Sequence, residues 1–375
     1  MHPLTRQRLP HLLTIGLSAG LVVACAGGGG GDTAGTGGQS AEAAVAEYVA
    51  LAESLEANRT EVLGEDAQGL FAVGNRLFWT GSSYDPILHS VQGGIEIDYT
   101  FSIGSGDLAN ERASEEAVAT ALSAGGDVVY HLYDVRRAND ELDTFTLPRP
   151  SNASWWAYAV DGTDVLYARD AADTVLWRKS AGVEAVRVVG LESDCDLPVG
   201  EFWDFTMVDG VALVVESGRV WRVDLAGGCD ATWIENETEV QSFSHDDTGI
   251  LYSSATGPYY WNVATHRTRD IAAEIAASPY MLNETFASAH HYAEGTVALW
   301  THYAIYRGSS GIFAFDLDSG GVTPILLDNP YTGGIFVTYR DPTVLEDGTL
   351  FVQSLESTSG AVGVDGPIYE VDWSR

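Results

Sequence analysis

The feature that most constrains this chain is a short pattern that returns seven times. It is an apolar run, a tight turn rich in Gly, Asn or Asp, and a second run of Leu, Val and aromatics. The copies read LFAVGNRLFW from Leu70, ALSAGGDVVY from Ala121, YAVDGTDVLY from Tyr158, FTMVDGVALVV from Phe205, FSHDDTGILY from Phe243, HYAEGTVALW from His291 and TVLEDGTLFV from Thr343. Each is a hairpin signal, because the turn residues tolerate positive φ and the flanks favour extended backbone. The turn markers Asn75, Gly126, Gly162, Gly210, Gly249, Gly295 and Gly348 lie 36 to 53 residues apart.

A second pair of strands follows most hairpins, introduced by an aromatic at a matching place. Trp177, Trp221, Trp261, Phe313 and Tyr369 sit in VLWRKS, RVWRVD, YYWNVA, GIFAFD and PIYEVD. Four short strands every 40 to 50 residues make the blade of a β-propeller. The pattern predicts an all-β fold of seven four-stranded blades over residues 60–375, with six or eight blades or a β-sandwich as alternatives. The last repeat stops at its third strand, GPIYEVDWSR, so TEVLGED at 60–66 is expected to supply the fourth. Recurrence of the aromatic once per blade points to packing between blades rather than ligand stacking.

Residues 40–59 precede the ring as an amphipathic helix, capped by Ser40, with Val45, Tyr48, Val49, Ala52 and Leu55 on one stripe. Its polar face is acidic, so docking on the propeller is expected rather than membrane binding.

The N-terminus is of another kind. Arg6 and Arg8 precede the apolar segment LLTIGLSAGLVV, which is a secretory signal in layout and too short for a mature membrane span. Val22-Val23-Ala24-Cys25 resembles the lipobox of bacterial lipoproteins. That resemblance implies a signal peptide over 1–24, palmitate-type acylation at Cys25 and attachment to a membrane; Ala26 in place of Asp implies the outer membrane. The alternative is an ordinary signal peptide cut near Ala24 or Ala26. Residues 25–39 are glycine-rich and form a flexible tether.

The chain carries 19 basic and 53 acidic residues, for a formal net charge of −34. Nucleic acid is therefore excluded as a partner on electrostatic grounds. No calcium loop of the Asp-x-Asp-x-Asp-Gly type is present. Asp316 and Asp318 in FDLDSGGV lack a third ligand at the required spacing and read as a turn. The expectation is no cofactor and no metal, with calcium stabilisation as a minor alternative. Cys195 and Cys229 are the candidate disulfide of an exported protein. Their assigned places conflict, since Cys195 falls between blades on one face and Cys229 in a third-to-fourth strand turn on the other.

Blades such as GIFAFDLDSGG resemble those of bacterial TolB-like and quinoprotein-like propellers, a resemblance that implies a fold and no activity. The quinoprotein tryptophan motif and cysteine pair are missing. The sialidase box is incomplete in SHDDTGILY, which keeps Ser244 and Asp246. His290 and His291 are adjacent and point to opposite faces of a strand, and His302 completes no zinc motif. No GxSxG elbow or P-loop occurs.

Segments that break the repeat remain. PRPSNASWW, ASPYMLNETF, DNPYTGGIFVTYRDP and THYAIYRGSS are expected on the face that carries the connections between blades. They gather Trp155, Trp156, Tyr280, Tyr303, Tyr306, Arg307, Tyr331 and Arg340, an aromatic and arginine-bearing contact surface. The reading is a membrane-tethered, non-enzymatic scaffold for a protein or an envelope glycan. The alternative is an extracellular hydrolase or lyase with carboxylates converging in the axial pocket.

Overall fold

The computed structural model describes residues 41–64, 68–80, 87–100, 108–124, 127–137, 140–148, 158–169, 175–196, 202–208, 211–216, 219–225, 233–235, 240–245, 248–254, 257–276, 297–308, 311–328, 335–358 and 364–373. Their strands form seven four-stranded sheets. The repeat predicted seven four-stranded blades, the last completed by a strand from 60–66. The chain instead makes six blades of four consecutive strands, spanning 68–100, 108–148, 158–190, 202–235, 240–270 and 297–327, plus one composite sheet. In the composite sheet, Ile335–Val344, Leu350–Thr358 and Val364–Val371 are joined by Arg59–Leu63, which comes from far earlier in the chain. That strand pairs antiparallel with Val364–Val371, matching Arg59 to Val371 and Glu61 to Tyr369.

Apolar clusters follow the sheets around a closed circuit. Phe78, Leu88 and Tyr99 of the first blade pack on Val118 and Tyr133 of the second. One cluster runs through the second, third and fourth blades. Leu213 meets Ile250, Tyr252 and Trp261 between the fourth and fifth. Leu251 and Tyr260 meet Tyr306 and Phe313 between the fifth and sixth. Ile305 and Ile312 meet Tyr339 and Val352 of the composite sheet. Phe351 and Ile368 then meet Leu70, Leu77 and Trp79 of the first blade. The circuit is a propeller, in which each sheet buries both faces against its neighbours. Trp177, Trp221, Trp261, Phe313 and Tyr369 all lie in third strands and pack against these clusters, as the repeat implied.

Five of the seven sequence hairpins are the first and second strands of a sheet; two slip by one strand. In the second blade the Gly125-Gly126 hairpin joins the second and third strands, Ala117–Ala124 and Asp127–Asp134. The preceding turn carries Ser114, Glu115 and Glu116 and no glycine. Its amides are met by the Ser114 hydroxyl, which accepts from Glu116 and Ala117 at 3.2 and 3.0 Å. In the sixth blade VALW is itself the first strand, and the turn is Thr301-His302, with Thr301 at φ 51°.

The helix Ala41–Glu56 lies against the outer strand Val322–Leu327 of the sixth blade. Tyr48 and Ala52 are buried there, with Val49 and Leu55 beside them. No helix among the described residues is long and apolar enough to cross a membrane.

Candidate functional site

In an antiparallel four-stranded blade, the first-to-second and third-to-fourth turns share one rim, and the other connections share the opposite rim. The described side chains with unassigned chemistry gather on the first of these rims, around the junction of the sixth blade, the composite sheet and the first two blades.

At its centre is an aromatic cluster. Trp300 ends the first strand of the sixth blade, Tyr303 begins the second, and Trp373 follows the last strand of the composite sheet. Trp373 stands edge-on to Trp300 and to Tyr303, with ring centroids 5.4 Å apart in each case. Both indole N–H groups are anchored to the neighbouring turn: Trp300 donates to the Glu346 carbonyl at 3.3 Å, and Trp373 to the Gly348 carbonyl at 3.0 Å. Gly348 adopts φ +90°, and a Cβ there would lie 2.4 Å from the Trp300 ring. The turn therefore requires glycine twice over, for its backbone and for the indole. All three rings stay half-buried, held by their polar edges with part of each surface in solvent.

Beside them, His302, Asp316 and Asp318 place ligand atoms within 4.8 Å of one another. His302 is the third group that spacing along the chain did not reveal, because it comes from the adjacent turn. Burial raises the proton affinity of Asp316. The amides of Ser319 and Asp318 and the His302 ring outweigh it and hold the carboxyl below the usual range. Asp316 is thus engaged as a turn cap, accepting from those amides at 3.0 and 2.8 Å. A second group, His89, Glu96 and Asp98, is likewise committed, with His89 Nδ1 2.7 Å from Asp98. A histidine with two carboxylates suits a transition metal better than calcium, which prefers oxygen donors throughout.

On the other side of the Glu346 turn is a cleft of about 240 Å³ between the first and second blades, lined by Gly74, Asn75, Arg76, Gln92, Glu115, Arg136 and Glu346 among others. The turns are tied together across it: the Glu346 amide donates to the Gly74 carbonyl at 2.8 Å, and Asp347 donates to the Asn75 side chain at 3.0 Å. Arg76 is 8% exposed. Its guanidinium donates to Ser90 Oγ and to Gln92 Oε1, both at 2.9 Å.

The expected contact surface divides. Trp155, Trp156, Tyr280 and Tyr331 lie outside the described residues, as do Cys25 and Cys229. Tyr303 is on the rim opposite to the one assigned, because VALW is the first strand of its blade and not the second, which makes Tyr303–Gly308 the second strand. Tyr306 is not a surface residue: it is 2% exposed and stacked on Phe313 at 5.6 Å. Arg307 does not reach the surface freely either: its side chain is 9% exposed, with the guanidinium 2.6 Å from Asp328. Asp328 also accepts from the Tyr339 amide at 3.2 Å, and its carbonyl accepts from the Tyr48 hydroxyl at 3.0 Å. Burial pushes its carboxyl up, against the pull of Arg307 and the amide. These residues join helix to ring and do not face a ligand. Arg340 lies on the inner strand of the composite sheet, bonded to Gln353 at 3.2 Å. Cys195 is partly buried against the large cluster of the second to fourth blades. Arg76, Trp300 and Trp373 were passed over in sequence because each sits in or beside an apolar run that reads as core, and His302 was set aside because it completes no motif along the chain.

No family model and no curated protein matches the chain. The likeness is to solved structures. The extracellular domain of the putative hybrid two-component system BT4673 from B. thetaiotaomicron superposes with a TM-score of 0.52 at 9% identity, over 84% of this chain and 39% of that one. BamB from Moraxella catarrhalis superposes with a TM-score of 0.44 at 10% identity, over 83% and 97%. At these identities the likeness is one of fold. The chain spans about two fifths of the BT4673 domain.

Proposed function

We propose that the protein is a cell-envelope binding propeller, acylated at Cys25 and held by residues 25–39, which presents the rim bearing Trp300, Tyr303 and Trp373 to a protein or an envelope glycan. The composite sheet serves as its seventh blade. The single observation that carries this reading is the aromatic cluster. Its indole N–H groups are satisfied by the Glu346 and Gly348 carbonyls, so the rings are pre-oriented with apolar surface left in solvent. Fixed aromatic anchors of this kind lower the ordering cost of association and dominate contact energies. The likeness in fold to an extracellular domain supports an exported setting. A bridge from Cys195 to Cys229 belongs to the same setting. Among the described residues the carboxylate with raised proton affinity is Asp328, which is spent on packing; the hydrolase reading gains no residue from it.

The test is retention of the full-length protein on immobilised envelope glycans, together with cross-linking in cells, beside Trp300→Ala and Trp373→Ala. Binding that weakens by about tenfold or more in the variants supports the reading, in line with the loss of a well-packed aromatic anchor. Binding that is indifferent to both substitutions removes the rim from it.

A further inference from the structure

The cleft between the first and second blades contains a charge that the fold does not balance. Arg76 is 8% exposed, and its guanidinium is bonded to two neutral acceptors, Ser90 and Gln92. Among the described residues no carboxylate lies within ion-pair distance of it. A buried guanidinium without a counter-ion is costly, and it recurs in proteins where an acidic group arrives from outside. The chain has 19 basic residues against 53 acidic ones, so placing one in the floor of a cleft is not a consequence of abundance.

The mouth has a different character. Glu115 and Glu346 are exposed on either side of Gly74, the first with Oε1 3.1 Å from where a Cβ on that glycine would sit. Glu346 is held in place by Asn75 at 3.4 Å. Arg136, exposed, completes the lining. A simple anion entering the cleft passes two carboxylates and the field of a protein at net charge −34. A molecule carrying both a carboxylate and an ammonium does not meet that barrier, because its ammonium is received at the mouth while its carboxylate reaches the guanidinium. At about 240 Å³ the cleft is smaller than the usual range for drug-sized ligands and suits a small metabolite.

We propose that this cleft binds a free α-amino acid, its carboxylate in a forked contact with Arg76 and its ammonium between Glu115 and Glu346. The inference goes beyond the scaffold reading and does not depend on the aromatic rim: the one residue they share, Glu346, serves the cleft with its side chain and Trp300 with its carbonyl.

The experiment is calorimetric titration of the full chain at low ionic strength and neutral pH with glycine, L-alanine, L-leucine and L-phenylalanine. Sodium acetate and methylammonium chloride serve as half-ligands. Saturable binding of at least one amino acid, with both half-ligands at least about tenfold weaker, is expected from paired charge-assisted contacts. Arg76→Gln should abolish it. Because that substitution touches the core, Glu115→Gln and Glu346→Gln, at exposed positions, supply the second arm, and each should weaken amino-acid binding without changing the melting temperature. Absence of binding by all four amino acids in the intact protein overturns the proposal. So does acetate binding as tightly as an amino acid, or indifference to both glutamate substitutions. Trp300→Ala should leave the titration unchanged while affecting retention on glycans or cross-linking, which separates failure of this site from failure of the scaffold reading.

Discussion

At the scale of single residues, the rim depends on side chains whose freedom has been removed by neighbours. Gly348 is the sharpest instance, with φ +90° and the Trp300 indole where a Cβ would be. Gly348→Ala is expected to cost about 1–3 kcal/mol from overpacking and backbone strain, and to shift tryptophan emission as the ring is displaced. An unchanged spectrum and melting temperature would show that the ring is not held there. A second residue-scale case is Lys179, the one lysine of the chain, which bonds to Asp143 across the second and third blades. Burial raises the proton affinity of Asp143, but Lys179 and the Gly182 amide outweigh it and hold the carboxyl below the usual range. A depressed carboxyl contributes stability above the unfolded-state value, near pH 4 for aspartate, and loses it as pH falls through the native one. Lys179→Met should therefore cost up to about 1 kcal/mol at neutral pH, with the gap to the wild type closing in acid. A gap that is constant with pH would contradict this.

At the scale of elements, the helix and the first strand act as a clasp on the ring. Arg59, at the start of that strand, has its guanidinium 4.3 Å from the Tyr369 ring centroid. Tyr339, beside it, donates to Glu56 at the helix end at 3.2 Å. Tyr48 fixes the middle of the helix to Asp328. Tyr48→Phe should cost about 1 kcal/mol, the net worth of one hydrogen bond, whereas Tyr48→Ala should cost about 3–5 kcal/mol by opening a cavity. Equal losses in thermal unfolding would mean that packing contributes nothing there. This level was largely legible in the sequence. The stripe of Tyr48, Val49, Ala52 and Leu55 and the missing fourth strand both follow from local patterns of apolar residues. What was not legible was strand register where turn chemistry departs from glycine. The Ser114 turn satisfies its amides with a hydroxyl, and the Thr301 turn accepts positive φ without glycine, so each hairpin marker was displaced to a neighbouring glycine, Gly126 after the first turn and Gly295 before the second. That displacement put Tyr303 on the wrong rim. Arg307 was misplaced for a related reason: its buried partner, Asp328, lies 21 residues away and is brought to it by the fold alone.

At the scale of the whole molecule, a closed ring of sheets gives a rigid support, and the proposed function adds a tether that keeps it at a surface. The acylation prediction is direct: metabolic labelling with a palmitate analogue should mark the wild type, and Cys25→Ser should lose both the label and membrane retention. A labelled Cys25→Ser protein would overturn the anchor. The ring itself could be read from its repeat because every blade must bury both faces, which imposes the same apolar pattern each time. The rim proposed for binding left no such trace, since the turn of Trp300 and His302, Trp373 and Arg76 come from segments far apart in the chain and only the circuit of blades brings them to one edge. The most direct measurement of the central claim is photo-cross-linking in intact cells. The photoreactive residue is placed at Thr301 or Asp347, on the aromatic rim, and at Leu142, exposed on the outer strand of the second blade. Adducts from Thr301 and Asp347, with none from Leu142, are the predicted result; adducts from Leu142 alone, or from no position, would contradict it.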